Sequence, residues 1–256
     1  MALCTIFING GPPSRAKSKI MNVVSTAPIG IIVAMHEELA VVLSELQHAE
    51  TIERAGLQLH RGQYHGKDVI AVICGVGKVH AALCTQLLIS EFAVRQVINL
   101  GIAGGIGPGI QPGDVVIADT LVQHDMDVTP LGLKPGQIFR LDTFDFSCDP
   151  TLLDAAQHAA QQLASHRSYV GRIVSGDQFI ADPAKSRWLH EEFDALACEM
   201  ESASIAQVCY LNHVPFVCIR SISDNANEGA HMDFDEFMPI AVANASTLLQ
   251  HLVPAC

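Results

Sequence analysis

Carboxylate side chains follow three of the apolar runs in this sequence: Glu38, the pair Glu199 and Glu201, and Asp224. Asp224 is directly preceded by Ser223, whose hydroxyl group can orient it. A carboxylate fixed in this way at the carboxyl end of a strand suits a positioned proton donor or acceptor. Met200 separates Glu199 from Glu201, and an extended segment would place both carboxylates on the same side. The sequence therefore predicts acid–base chemistry that several carboxylates share.

Apolar strands alternate with helical segments from Pro28 onward, and this alternation must position the carboxylates. Strands are predicted at 29–34, 69–74, 97–100, 115–118, 170–174, 195–198 and 216–222, and helices at 37–47, 78–92, 150–164, 201–211 and 234–252. The pattern predicts one α/β domain over residues 29–253, with a mixed, mostly parallel central sheet flanked by helices. In such sheets ligands bind outside the carboxyl ends of the strands, where the candidate acids lie.

A glycine-rich segment follows the strand predicted at 97–100, but it does not fit a dinucleotide-binding fingerprint. The glycines at 101–109 do not form a GxGxxG motif that opens a helix, because Pro108 and Pro112 follow them. No phosphate-binding loop of the GKS or GKT type occurs either. We interpret 101–105 as a turn whose glycines let the backbone approach a ligand closely, and we expect no cofactor.

Composition and charge exclude several classes of partner. The net charge is −12 with only 15 Lys and Arg residues, which form no cluster, so we do not expect a nucleic-acid partner. No apolar stretch reaches the roughly eighteen residues of a membrane span. The eight cysteines stand singly and the histidines form no HExxH motif, which predicts no metal site and fits free thiols in the cytoplasm. Residues 1–28 are expected to form an extension outside the fold.

Seven segments occur in an order and spacing that together resemble a known family: IGIIVAMHEE at 29–38, GVGK at 75–78, LGIAGG at 100–105, DMDVT at 125–129, VSGDQFI at 174–180, EME at 199–201 and RSISD at 220–224. The series resembles the 5′-methylthioadenosine/S-adenosylhomocysteine nucleosidases of the nucleoside phosphorylase superfamily, over about residues 29–253. The resemblance implies a nucleoside phosphorylase-like fold. It also implies hydrolysis of the N-glycosidic bond of 5′-substituted adenine nucleosides.

The resemblance assigns the chemistry to three acids. Glu38 matches the carboxylate that activates the attacking water, and Asp224 matches the acid that protonates the purine N7, with Ser223 orienting it. Glu201 matches the residue that holds the ribose hydroxyl groups. The reaction needs such groups, because adenine is a poor leaving group unless N7 is protonated and the transition state resembles an oxocarbenium ion.

The resemblance also assigns residues that bind the substrate. Phe179 matches the aromatic ring stacked on adenine, and the backbone of Ile180 matches the group that reads the edge of the base. Met200 matches a residue packed on the sugar, and Arg220 matches an arginine near the water and Glu38. The remaining residues assigned to the same cleft are Ala34, Met35, Ile102 and Gly104.

Two departures from the family pattern concern the substrate range. Ile102 stands where many relatives have a serine in the glycine segment. Leu131 and Leu133 replace the family's usual aromatic pair after Asp-Val-Thr. In the family those positions come from the partner subunit and touch the 5′ substituent, so the resemblance implies a homodimer in which an apolar rim closes the pocket.

Two other functions are compatible with the same fold. A purine nucleoside phosphorylase would need basic side chains for phosphate, commonly an arginine just before the glycine segment, and here that stretch reads INLGI at 98–102. A non-catalytic nucleoside-binding or storage protein would have lost catalytic carboxylates, whereas Glu38, Glu201 and Asp224 are all present. Hydrolysis is therefore the favoured prediction.

Overall fold

The computed structural model describes residues 27–33, 35–163, 167–226 and 230–256, without the side chains of 230–236. Ten strands lie in this part of the chain: β1 Ile29–Val33, β2 Gln47–Arg54, β3 Leu57–Tyr64, β4 Lys67–Ile73, β5 Gln96–Gly105, β6 Val115–Gln123, β7 Phe146–Ser147, β8 Ser168–Ser175, β9 Ala195–Glu199 and β10 Phe216–Asp224. Its six α-helices are α1 His36–Glu45, α2 Lys78–Phe92, α3 Pro150–Ala160, α4 Pro183–Phe193, α5 Ser202–Asn212 and α6 Ala230–Ala255. Ala34, and the predicted extension as far as residue 26, lie outside the described residues.

Nine of the strands form one mixed sheet in the order β10-β6-β8-β9-β5-β1-β4-β3-β2, in which β10 also pairs with β5, and the tenth strand, β7, pairs with β6. The central strands β4, β1, β5 and β10 run parallel to one another, and β6, β8 and β9 form a second parallel set. β9 pairs antiparallel with β5, at Gly104 and Gly105. The predicted single α/β domain with a mixed central sheet is confirmed.

Helices cover both faces of the sheet because its central strands are apolar on both faces. In β1, Ile32 packs with residues of α2 and α5, whereas Ile31 packs on the opposite face with residues of α1 and α6. All five residues of β1 and all nine residues of β10 are buried. The parallel strands are thereby held rigidly, and their carboxyl ends provide a fixed edge on which side chains can be placed.

The main error of the sequence prediction is the glycine turn at 101–105. These residues continue β5, and they pair with β10 on one side, where Arg220 lies opposite Gly101, and with β9 on the other. The small residues are needed because neighbouring side chains crowd the strand, not because the chain turns there. The hairpin of β2 and β3, the short strand β7 and the helix α4 were not predicted.

No helix in the described part of the chain is long and apolar enough to span a membrane. Within the same residues, no group of three or more His, Cys, Asp or Glu side chains is arranged to hold a metal ion.

Candidate active site

A cleft opens at the carboxyl ends of β5, β9 and β10, beside the start of α1. The predicted residues that line it are Met35, Ile102, Gly104, Phe179, Ile180, Met200, Glu201, Arg220, Ser223 and Asp224. Six further residues complete its wall: Val76, Gly101, Ala103, Gln178, Cys198 and Glu199. The structure thus brings together residues from segments more than 180 positions apart in the chain, as expected where parallel strands end at one edge of a sheet.

Glu38 and Arg220 meet at Gly101, on the wall of the cleft formed by β5. A methyl group placed on Gly101 would lie 3.1 Å from Nη1 of Arg220 and 3.3 Å from Oε1 of Glu38. Glu38 is buried in the first turn of α1, and its Oε2 accepts a hydrogen bond of 3.1 Å from the backbone N–H of Met35. A glycine at position 101 therefore lets a carboxylate and a guanidinium group approach the same point.

Arg220 is the largest fully buried side chain, with 1% of its surface exposed. Its Nη2 donates hydrogen bonds to Oδ1 of Asn99 at 2.7 Å, Oε2 of Glu199 at 2.9 Å and Oγ of Ser202 at 2.6 Å. Burial alone would raise the pKa of Glu199, but the charge of Arg220 and hydrogen bonds from Ser175 and Ser202 hold that pKa below its usual range. The ion pair is thus fully buried and surrounded by hydrogen-bonding groups, the condition under which a buried pair is tolerated.

Glu201 is the residue before α5, and it faces the first turn of α2. Its Oε1 accepts a hydrogen bond of 2.8 Å from the backbone N–H of Gly77, a residue whose φ of 96° favours glycine. Burial, and then the charge of Glu199, raise the pKa of Glu201 to about 7. The chain turns between the two carboxylates, because Glu199 bends back to accept hydrogen bonds from the backbone of Glu201 and Ser202. The extended segment that would place both carboxylates on the same side is therefore not formed, although the carboxylates remain close enough to interact.

Asp224 ends β10 and is held from both sides. Its Oδ2 accepts a hydrogen bond of 2.7 Å from the Ser223 hydroxyl group, and its Oδ1 accepts one of 2.7 Å from the backbone N–H of Ala226. A methyl group on Gly104 would lie 3.1 Å from Oδ1 of Asp224 and 2.8 Å from Cβ of Ala226. The carboxylate is therefore oriented by a hydroxyl group, as the sequence predicted, and depends on a glycine in β5 for space.

The segment that carries Phe179 and Ile180 forms the opposite wall. Phe179 is 53% exposed, whereas Ile180 is buried. Asp177 anchors the segment, because its Oδ1 accepts a hydrogen bond from the backbone N–H of Lys78 at 2.8 Å and its own N–H donates to Asp125 at 2.9 Å. An exposed aromatic ring on an anchored segment is suited to stacking on a planar ligand.

The two predicted leucines do not line this cleft. Leu131 lies in a short 3₁₀ helix, Thr129–Leu131, and is 65% exposed, and Leu133 is partly buried. Neither is among the residues that line the cleft of the same chain. This is compatible with the expectation that they act on a second subunit, which stays a prediction.

Sequence reasoning missed the residues that support Arg220. Asn99, Ser175 and Ser202 received no role, and Glu199 was noted without a partner. A signal was present, because an arginine inside an apolar strand needs buried acceptors, and Asn99 and Glu199 stand in apolar runs of their own.

Comparison with known proteins agrees with this geometry. The model of the phosphorylase superfamily matches residues 28–254. A 5′-methylthioadenosine/S-adenosylhomocysteine nucleosidase from Psychromonas ingrahamii is 42% identical over 88% of this chain and 97% of its own length. The chain belongs to the 5′-methylthioadenosine/S-adenosylhomocysteine nucleosidase family. The family resemblance drawn from the sequence is confirmed.

Solved structures of this nucleosidase family share the fold. The enzyme from Neisseria meningitidis, in complex with methylthio-immucillin-A, aligns with a TM-score of 0.86 at 36% identity, over 90% of this chain and 100% of that one. The enzyme from Colwellia psychrerythraea, in complex with adenine, aligns with a TM-score of 0.86 at 36% identity, over 90% and 95% of the two chains. The protein is an enzyme that hydrolyses the N-glycosidic bond of adenine nucleosides, as predicted, and neither the phosphorylase nor the storage-protein alternative is favoured.

Proposed function

We propose that the protein hydrolyses 5′-methylthioadenosine and S-adenosylhomocysteine to adenine and the corresponding thioribose product, with Glu38, Glu201 and Asp224 carrying the chemistry. The observation that carries this proposal is the convergence of three buried carboxylates at one cleft with an aromatic ring at its mouth. Glu201 and Asp224 line the cleft, and Glu38 lies beside Gly101 of its wall without lining it. The names of the relatives support the choice of substrates.

Asp224 is the proton donor to the leaving group in this proposal. The N9–C1′ bond breaks, its electron pair moves into the purine, and the proton from Asp224 goes to N7, so that adenine leaves as a neutral molecule. Hydrogen bonds from Ser223 and Ala226 fix the carboxyl group of Asp224 in one orientation. General acid catalysis of this kind contributes about two to four powers of ten in rate.

Glu201 and Glu38 act on the sugar and the water. The ionised carboxylate of Glu201 accepts hydrogen bonds from the ribose hydroxyl groups, and its charge favours the cationic sugar of the transition state. Glu38 accepts a proton from water as the water oxygen forms its bond to C1′. Arg220 adjoins Glu38 at Gly101, where it can orient the same water molecule.

Phe179, Ile180 and Met200 bind the substrate in this proposal. The ring of Phe179 stacks on adenine, the Ile180 backbone contacts the edge of the base, and Met200 packs on the ribose. All three line the cleft, and Phe179 has the exposure that a stacking surface requires. Ile102 and Gly104 form the wall behind the sugar.

We further propose that two copies of the chain form a homodimer in which Leu131 and Leu133 of each copy close the 5′ end of the other's cleft. Apolar side chains on the outside of α2 and α5 support a partner surface, since Val79 is 77% exposed and Leu83 and Leu211 are also exposed. Light scattering across a dilution series tests this point. An active monomer would contradict it.

The proposed setting is the cytoplasm, without a nucleic-acid partner. The cysteines of the described residues are all free thiols, which suits a reducing compartment. A net charge of −12 disfavours contact with a phosphate backbone.

Product analysis tests the proposed reaction. Purified protein is incubated with 5′-methylthioadenosine, S-adenosylhomocysteine, 5′-deoxyadenosine or aminodeoxyfutalosine, each with and without phosphate, and adenine and the sugar product are quantified. We expect free 5-methylthioribose at a rate that does not depend on phosphate. A sugar 1-phosphate, or adenine release that requires phosphate, would show phosphorolysis. A marked preference for 5′-deoxyadenosine or aminodeoxyfutalosine would contradict the proposed substrates but not hydrolysis.

A further inference from the structure

Asn99 lies in the middle of β5, inside an apolar run, and only 2% of it is exposed. Its Nδ2 donates a hydrogen bond of 3.0 Å to the backbone oxygen of Ile32 in β1, and its Oδ1 accepts one of 2.7 Å from Nη2 of Arg220 in β10. β1 and β10 flank β5 on its two sides, and both run parallel to it. Burying a polar amide is costly unless it is hydrogen-bonded, and here both ends of the amide are used.

The two strands that Asn99 joins lead to the two groups that face each other at Gly101. β1 leads into Met35, whose backbone N–H holds Glu38, while β10 carries Arg220 itself. We propose that Asn99 is a positioning residue that holds Arg220 and the end of β1 in register, so that Arg220 and Glu38 keep a common orientation toward the attacking water. This inference rests on the proposed function.

The hydrogen bonds of Arg220 show why N99A should still fold and yet lose rate. Nη2 of Arg220 also donates to Glu199 and Ser202, and these acceptors remain when Asn99 is removed. The guanidinium group therefore stays charged and paired, held by Glu199, by Ser202 and by the hydrogen bond of 3.1 Å from its Nη1 to the backbone oxygen of Ile219, but no longer by β5. Because the hydrogen bond from Nη2 to β5 is lost, the guanidinium group can shift, and Nη1 beside Glu38 shifts with it; a displacement of about 1 Å at a reacting group can cost roughly a hundredfold in rate.

The location of Asn99 also predicts which step of the reaction is slowed, the attack by water or the protonation of adenine. Asn99 contacts the arginine that faces Glu38, whereas Asp224 is held by Ser223 and Ala226. Loss of Asn99 should therefore impair attack by water and leave protonation of adenine intact. A substrate whose leaving group needs no protonation should not recover the lost rate.

The chain offers a matched control in Asn244. This asparagine of α6 is also buried, at 6% exposure, and its Nδ2 donates a hydrogen bond of 2.9 Å to the backbone oxygen of Gly113. Asn244→Ala therefore removes a buried amide–carbonyl hydrogen bond of the same kind without touching the cleft. The fall in melting temperature of N244A therefore measures how much stability is lost when a buried asparagine side chain is removed away from the cleft.

The experiment compares wild type with N99A, N99L, N99D and N244A on 5′-methylthioadenosine and on the p-nitrophenyl riboside of 5-methylthioribose. We expect N99A and N99L to lose about ten- to a hundredfold in kcat on both substrates, with KM within about threefold of wild type. N99D keeps an oxygen acceptor for Arg220 but loses the donor to the backbone oxygen of Ile32, so it should recover only part of the rate. N244A should keep wild-type kcat with a fall in Tm similar to that of N99A.

Any one of three results would overturn the proposal. The first is that N99A and N99L have the same kcat as N244A, and the second is that their loss of rate disappears on the p-nitrophenyl substrate. The third is that N99D has a kcat as low as that of N99L. If N99A does not fold, N99L carries the comparison, because leucine fills the volume of the asparagine. A wild-type protein that releases no adenine would instead contradict the proposed function, so the two failures are distinguishable.

Discussion

Replacement of Glu201 by glutamine should both slow the reaction and stabilise the protein at alkaline pH. Glu201 is buried beside Glu199, and its pKa is raised to about 7, first by burial and then by that neighbouring charge. Glutamine keeps an oxygen that can accept the hydrogen bond from Gly77, so the fold should persist. The substitution therefore removes the charge and changes little else.

The size of the stability effect follows from the pKa. A change from the usual 4.5 to about 7 corresponds to about 3 kcal/mol in favour of the protonated side chain in the folded state. Because the folded state holds the proton more tightly, this contribution is present below the unfolded pKa and is lost as pH rises through the folded pKa. Between pH 4.5 and 8, the free energy of unfolding of Glu201→Gln should therefore rise relative to wild type by about 2 to 3 kcal/mol.

Urea unfolding at both pH values measures this difference, and steady-state kinetics measures the loss of the charge. Only the ionised form of Glu201 is productive, so wild-type kcat/KM should fall about tenfold per pH unit below pH 7. The kcat of the variant should be about a hundredfold lower than that of wild type, and its kcat/KM should not show this decrease below pH 7. The reasoning fails if the variant turns over near the wild-type rate, or if the stability difference between the two proteins does not change with pH.

Two other substitutions test the walls of the cleft. Phe179→Ala should raise KM more than it lowers kcat, because stacking stabilises the ground state and the transition state alike. Steady-state assays measure both constants, and a large loss of kcat at unchanged KM would argue against stacking. Gly104→Ala should lower kcat at least tenfold, because the new methyl group would lie 3.1 Å from Oδ1 of Asp224 and 2.8 Å from Cβ of Ala226. Unchanged kinetics of that folded variant would show that the position of Asp224 tolerates displacement.

The apolar core elements were the most predictable part of the fold. Helix α2 occupies the predicted residues 78–92, and the strands near the site begin within two residues of their predicted positions. Their signal is strong because these segments are buried and their apolar residues recur at a regular spacing.

The polar elements were less predictable. β2 has the sequence QHAETIER and is almost entirely exposed, so it shows no apolar alternation. The sequence nevertheless contains a turn signal in Gly56, because the turn between β2 and β3 gives both Ala55 and Gly56 a positive φ. Helix α4 also begins with recognisable residues, with Asp182 as its N-cap and proline next to it.

The candidate site was predictable in its residue types but not in its supporting contacts. Which side chain supports Arg220 depends on the register that places Gly101 opposite it and Asn99 opposite Ile32. A sequence read one segment at a time does not contain that register, because it arises from packing between strands far apart in the chain. The same reason explains why glycines that make room for Glu38 and Asp224 were interpreted as a turn.

The role of Asp224 as the acid is tested most directly by Asp224→Asn with two leaving groups. Asparagine is nearly isosteric and can still form a hydrogen bond to N7, but it cannot donate a proton to it. With 5′-methylthioadenosine we expect binding within about an order of magnitude of wild type and a loss of at least about two powers of ten in kcat. With the p-nitrophenyl riboside of 5-methylthioribose, whose leaving group departs without protonation, most of that loss should disappear. Near wild-type hydrolysis of methylthioadenosine, or an equal loss on both substrates, would contradict the account.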